Sequence, residues 1–379
     1  MKIAGIELRW VRLPLKTPFR TSVFTEYDRE ALLVRVRTVD GVVGWGECAA
    51  IREPIYSSEY LDGAVRILRD LLIPMIQRLS DVTAEKAAAA FRAVDGHPMA
   101  KAALETALLD AQLRRENVSL ARYLGAVHSR VSAGVSVGIT TRDELRDAVD
   151  QHWHKEKYQR IKLKIQPGWD EEPVRLVREI LGSDAALQVD ANCAYTLDDA
   201  EHLARLDEYN LLMIEQPLAA NDLAGHAKLA RRLKTPICLD EPITSAAAAI
   251  TAIECGAAEI INIKPGRVGG YLEARKVHHA CAERAVPIWV GGMLETGIGR
   301  AANVALAALP HFTLVGDLSA SERFFTQDIT PPIVMRDGHI DVPDGPGIGL
   351  EPDEAALKAA TERTEWIPFP AKVLASWAK

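Results

Sequence analysis

Three acidic residues recur at one interval. Asp190, Glu215 and Asp240 are 25 residues apart, and Lys264 follows after 24 more. Each closes a short apolar run: ALQVD, LLMIE, PICLD and EIINIK. That interval holds one strand, one helix and the two loops joining them, the unit of a parallel sheet. The rhythm extends upstream through VSAGVSVGI and RIKLKI and downstream through PIWVGG, with FTLVGD at 312–317 as an eighth unit. Between the runs lie amphipathic helical segments such as DEEPVRLVREIL and GHAKLARRL. Runs that are apolar throughout suit strands covered on both faces. Eight such units fit a closed barrel better than an open doubly wound sheet, and no G-x-G-x-x-G follows the early strands.

The first part of the chain obeys another rule. Residues 1–48 read as three antiparallel strands, with Asp40-Gly41 as a hairpin turn. Residues 60–123 read as helical, with Ala103, Leu104, Ala107, Leu108 and Ala111 along one stripe. After residue 320 the pattern returns to hairpin-like pieces and Gly/Pro loops. The expected fold is α/β, a TIM-like (β/α) barrel with an α+β capping domain. The capping domain is expected at 1–125 and the barrel at 126–320, with 321–379 closing the barrel and packing on the cap.

Composition narrows the function classes. The five cysteines include no C-x-x-C pair, which argues against a disulfide framework or a zinc knuckle and suits a reducing cytosol. The opening residues alternate like a strand and offer no apolar stretch for a signal peptide, and no later stretch could span a bilayer. A formal charge of −7 argues against a nucleic-acid partner. The expectation is a cytoplasmic protein acting on a small molecule.

A barrel of this kind carries its chemistry at the C-terminal ends of its strands. Three carboxylates meeting at that rim would repel strongly in a low dielectric. A hard divalent cation resolves the repulsion, and Mg²⁺ leaves positions open for substrate. One strand-end acid alone reads as a helix cap, but three in successive units read as a metal site. Lys162 and Lys164 share one face of RIKLKI with Arg160. Cations inside a barrel are costly unless used, and crowding by like charge is expected to lower a lysine pKa toward that of a base. The competing reading is a solvated edge strand, which the middle of a parallel barrel does not offer. Lys264 belongs to the sixth unit, across the barrel from Lys162 and Lys164, although alone it would read as a surface lysine at a helix start. Asn192 and Glu241 are placed to support the acids from beside them. Gly291 and Gly292 end the seventh strand, where backbone can approach a ligand closely.

Taken together, KLKIQPGWD, QVDANCAYTL, IEQPL, CLDEP, NIKPGRVGGY and GGMLETGIGRAAN resemble the enolase superfamily. Within it they are most similar to the muconate-lactonizing subgroup and its o-succinylbenzoate synthase/N-acylamino acid racemase family. The resemblance implies that Asp190, Glu215 and Asp240 bind Mg²⁺, with Mn²⁺ as a substitute, against an enediolate. It implies Lys164 as acid/base on one face of the substrate, tuned by Lys162, and Lys264 on the other. It also implies a pocket formed by Phe19, Phe24, Ile51 and Tyr56, from capping loops near 17–29 and 50–56, and by Ser136, Gly292, Met293, Leu294 and Phe324. A small-molecule carboxylate substrate and a homo-oligomer are implied as well. Phe24 stands where relatives often carry a small residue, and Pro242 where they often carry Ser. The expected activity is N-succinylamino acid racemase with o-succinylbenzoate synthase activity; the alternative is a dipeptide epimerase or cycloisomerase. A binding protein on an inactivated barrel is disfavoured, because all three acids and all three lysines are present.

Overall fold

The computed structural model describes residues 1–370. The chain opens with β1 (Ile3–Arg20) and β2 (Thr25–Thr38), one long antiparallel hairpin, and β3 (Val43–Cys48) pairs with β2. Ile6 and Leu8 of β1, opposite Val36 and Val34 of β2, are buried with Leu32 on one face of the hairpin, and Val11 and Leu13 are buried on the other. Helix α1 (Pro98–Glu116) packs against β3, with Ala103, Ala107 and Ala111 fully buried. Two glycines allow that approach. A Cβ on Gly44 would lie 2.2 Å from the carbonyl oxygen of Ala107, and one on Gly46 would lie 2.1 Å from that of Ala103. The small-residue stripe of the helix and the VGWGE run of the strand are two halves of one close contact.

Seven short parallel strands then follow in sequence order: β4 (Gly134–Val137), β5 (Arg160–Lys164), β6 (Leu187–Asp190), β7 (Ile214–Glu215), β8 (Ile237–Leu239), β9 (Ile260–Ile263) and β10 (Ile288–Val290). The eighth unit differs from expectation, since residues 312–317 form no regular strand. They still fasten the two edges of the sheet. Asp317 N–H donates to the Val290 carbonyl at 2.9 Å, and Gly134 N–H donates to the Gly316 carbonyl at 3.1 Å. Inside the curl, Met213, Cys238, Ile260 and Trp289 form one apolar cluster. Alternate positions toward the strand ends are polar and buried: Lys162, Lys164, Asp190, Glu215, Asn262 and Lys264. Outward-facing Ile161, Leu163, Val189, Leu239 and Ile261 lie under the helices, among them α2 (Tyr271–Glu283) and α3 (Gly297–Ala307).

The end of the described chain returns to its beginning. β11 (Thr361–Pro368) pairs antiparallel with β1, matching Ile6 to Ile367 and Leu8 to Glu365, so the first sheet has four strands rather than three. Residues 371–379 of the expected closing segment lie outside the described residues. The segment at 17–29 is also more ordered than a loop, for β1 and β2 leave only residues 21–24 as the turn. Among the described residues, no helix is long and apolar enough to cross a membrane.

Candidate active site

Strand register assembles the site. Lys162 stands opposite Ser136 and Gln188, Lys164 opposite Asp190, and Asp190 opposite Glu215. Asp240 directly follows β8, and Lys264 directly follows β9. The lysines and carboxylates therefore open at the same end of the sheet, and they pair there. Lys164 Nζ donates to Asp190 Oδ2 at 2.6 Å and to Asn192 Oδ1 at 2.7 Å. Lys264 Nζ donates to Asp240 Oδ2 at 2.6 Å and to the Tyr56 hydroxyl at 2.7 Å. Lys162 Nζ lies 3.2 Å from Asp190, 3.1 Å from Glu215 and 2.6 Å from Asp317. Asn262 donates to the other oxygen of Glu215 at 2.7 Å. Asn192 also donates to Glu241 at 3.2 Å, so the two residues expected beside the acids do meet.

The electrostatics differ from the expectation of crowded cations. Burial alone would depress the Lys162 ammonium, but Asp317, Glu215 and Asp190 outweigh it and hold its pKa above the ordinary lysine value. Lys264 is raised in the same way, by Asp240 and Tyr56 against burial. Among the acids, burial and then Asp190 push Glu215 up to about 8. Asp190 stays below the usual carboxylate range because Lys164 and Lys162 outweigh its burial. Lys162 and Lys264 are paired with carboxylates, and for these two the shift is opposite to the expected direction.

Above these pairs lies a cavity of about 720 Å³, mouth included. Phe19, Phe24, Ile51 and Tyr56 line it from the first sheet and the segment after it, while Ser136, Gly292, Met293, Leu294 and Phe324 line it from the barrel side. Lys162, Lys164, Asn192 and Lys264 also reach it. Asp190, Glu215 and Asp240 do not, because the ammonium groups and Asn192 cover them.

Comparison with known proteins decides the family. Residues 144–356 match the family model "Enolase C-terminal domain-like", and residues 4–125 match "Mandelate racemase / muconate lactonizing enzyme, N-terminal domain". The chain belongs to the enolase superfamily. It is 57% identical to an N-succinylamino acid racemase of an Amycolatopsis species, over 97% of this chain and 100% of that protein. It is 45% identical to an o-succinylbenzoate synthase of Geobacillus stearothermophilus, over 96% of each. A crystal structure of an enolase superfamily member from Listeria innocua superposes with a TM-score of 0.93 at 38% identity, over 98% of this chain and 100% of that one.

For an enolase superfamily enzyme, the fit to a divalent metal can be tested on the acids themselves. Among the described residues, no three His, Cys, Asp or Glu side chains are grouped as placed to hold an ion. Asp190, Glu215 and Asp240 are each paired with a lysine. The donor set nevertheless suits a hard cation, being all oxygen and supplied by three adjacent strands. Asp240 Oδ1 and Glu241 Oε2 are buried without a hydrogen-bond partner, so acceptor capacity remains.

Two charged residues of this cluster escape a reading of strand-end acids and paired lysines. Arg267 lies 3.4 Å from Asp240, donates to the Glu241 carbonyl at 3.2 Å and contacts the Tyr56 hydroxyl. Its place three residues after Lys264, in a short helix that opens with Pro265, was the available signal. Asp317 closes FTLVGD, and its position as a further strand-end acid in the eighth unit was the signal there.

Proposed function

We propose that this chain removes the proton α to a carboxylate of a small N-acyl amino acid, N-succinyl derivatives foremost, and that the same site has o-succinylbenzoate synthase activity. The observation that carries this reading is the arrival of Lys164 and Lys264 at one cavity from strands separated by β6, β7 and β8. A substrate between them has a lysine on each side, one needed as the free amine that takes the proton and the other as the ammonium that returns it. Lys164 then takes or returns the proton on one face, and Lys264 does so on the other. In the dehydration, Lys164 takes the proton and then gives it to the departing hydroxide, which leaves as water, while Lys264 holds the charge that develops. Asn192 holds Lys164 in place through its side-chain oxygen.

Asp190, Glu215 and Asp240 would hold Mg²⁺ or Mn²⁺, which supplies the positive charge opposing the substrate carboxylate. Phe19, Phe24, Ile51 and Tyr56, from a capping domain over 1–125, would set acyl and side-chain preference against Ser136, Met293, Leu294 and Phe324. The dipeptide epimerase reading needs a free anion for the peptide ammonium. Asp317 stands in the cavity, but Arg160 at 2.9 Å and Lys162 at 2.6 Å occupy its two oxygens.

The test is loss of the α-proton in D₂O, followed by NMR on N-succinyl amino acids of both hands with Mn²⁺ or Mg²⁺ added. Exchange and racemisation are expected, both abolished by exhaustive chelation. Exchange with no N-acyl amino acid would sink the activity, and full activity after chelation would sink the metal.

A further inference from the structure

Lys162 has three carboxylate neighbours, and they are not equivalent. Asp317 is the nearest at 2.6 Å, while Glu215 and Asp190 stand at 3.1 and 3.2 Å. We infer that Asp317 is a positioning residue: by taking the shortest of the three contacts it keeps the Lys162 ammonium from closing further on Glu215 and Asp190, to which it still pairs at 3.1 and 3.2 Å, and so weakens its competition with a divalent cation. This rests on the reading above that these two acids bind the metal.

The architecture around Asp317 is built for such a hold. Its second oxygen forms an ion pair with Arg160 at 2.9 Å, and Arg160 is fully buried. Arg160 is itself fixed by the Val315 carbonyl, to which Nε donates at 3.2 Å and a terminal nitrogen at 3.0 Å. Arg160 and Lys162 reach the eighth unit only because the intervening strand β4 carries small residues, Gly134 and Ser136, on that face. A Cβ on Gly134 would lie 2.7 Å from the Arg160 guanidinium carbon. Beneath both cations lies the Trp289 ring, with its centroid 5.4 Å from Arg160 and 4.9 Å from Lys162. The eighth unit is held to β10 by the Asp317 N–H itself, so the carboxylate starts from a fixed backbone.

Without Asp317, a buried ammonium would keep only Asp190 and Glu215 as counter-charges. A buried charge that loses one partner moves onto those remaining. Lys162 would then compete with any cation for the same oxygens.

The experiment titrates Mn²⁺ into wild type, Asp317→Asn, Lys162→Met and the double variant, with binding read by calorimetry or EPR rather than by turnover. Asp317→Asn should weaken Mn²⁺ by about 10–100-fold in the wild-type background. In the Lys162→Met background the same change should stay within about twofold, because its route of action is gone. Equal losses in both backgrounds would mean that Asp317 contributes only negative charge, and no loss in either would mean that it contributes nothing; each overturns the inference. Should Asp317→Asn not fold, Asp317→Glu, which keeps the charge but displaces it, takes its place in the cycle: weaker Mn²⁺ in the wild-type background and no change beside Lys162→Met supports the inference, and equal effects in both backgrounds overturn it. A wild type that takes up no Mn²⁺ would remove the metal reading, and this inference with it. A wild type that binds, with an indistinguishable Asp317→Asn, removes only the inference.

Discussion

Lys164 and Lys264 lie in different hydrogen-bonded settings, one beside Asp190 and Asn192, the other beside Asp240 and Tyr56. Each should therefore serve one face of the substrate. Lys264→Ala should lower racemisation by about 10²–10⁴-fold, since one face then lacks its acid/base. One enantiomer should still exchange its α-proton with deuterium, because abstraction and return there need only Lys164. Lys164→Ala should spare the opposite enantiomer. NMR of each pure enantiomer in D₂O checks this, and equal residual exchange of both hands by both variants would remove the two-face assignment. A second residue acts on stability rather than chemistry. His278 on α2 is buried, and neither ring nitrogen has a hydrogen-bond partner. It faces His279, His311 and the Phe312 ring, and burial with the two neighbouring histidines brings its pKa down to about 4. The unfolded chain thus binds this proton more readily than the folded one. The stabilisation is complete above the ordinary histidine range and is lost as pH falls from about 6.5 toward 4. His278→Phe should shrink the loss of Tm between pH 7.5 and 5; an unchanged difference would show that other groups govern acid sensitivity.

Among the elements, strand β3 does more than complete a sheet. Its Glu47 reaches the N-terminus of α3, where it accepts from the Thr296 N–H and the Gly299 N–H at 3.1 Å and from the Thr296 hydroxyl at 2.6 Å. This caps the helix that follows Met293 and Leu294, and so fixes one cavity wall from the opposite sheet. Glu47→Gln, which must turn an N–H toward those donors, should cost about 1–3 kcal/mol of stability in denaturant unfolding. A loss within error would mean that the wall is held by other contacts. The strand-helix rhythm was legible because each unit repeats an apolar run that burial requires. β11 was not, because TERTEWIP is largely polar and sits at a sheet edge with much of its surface exposed. The eighth unit was legible as a spacing but not as an irregular segment, since its bonds to β10 and the start of β4 follow from closure rather than from local sequence. At the site, evenly spaced acids and same-face lysines could be read directly. Their mutual pairing could not, because which ammonium reaches which carboxylate depends on side chains crossing between strands.

For the molecule as a whole, the charges in and around the mouth of the barrel are formally balanced. Arg160, Lys162, Lys164, Lys264 and Arg267 face Asp190, Glu215, Asp240, Glu241 and Asp317, mostly through direct ion pairs. Adding a dication to a formally balanced cluster leaves excess positive charge in a low dielectric, and the carboxylate of a substrate offsets part of it. Metal and substrate should therefore each raise the affinity for the other, by the same factor, as thermodynamic reciprocity demands. Mn²⁺ titrated with and without a saturating N-succinyl amino acid should show tighter binding in its presence by about 5–150-fold. Identical Mn²⁺ affinities would show that the two ligands do not sense each other. The consequence is mutual dependence: if the acids hold a metal as proposed, a cell poor in free metal would find this barrel weaker for its substrate by that same factor.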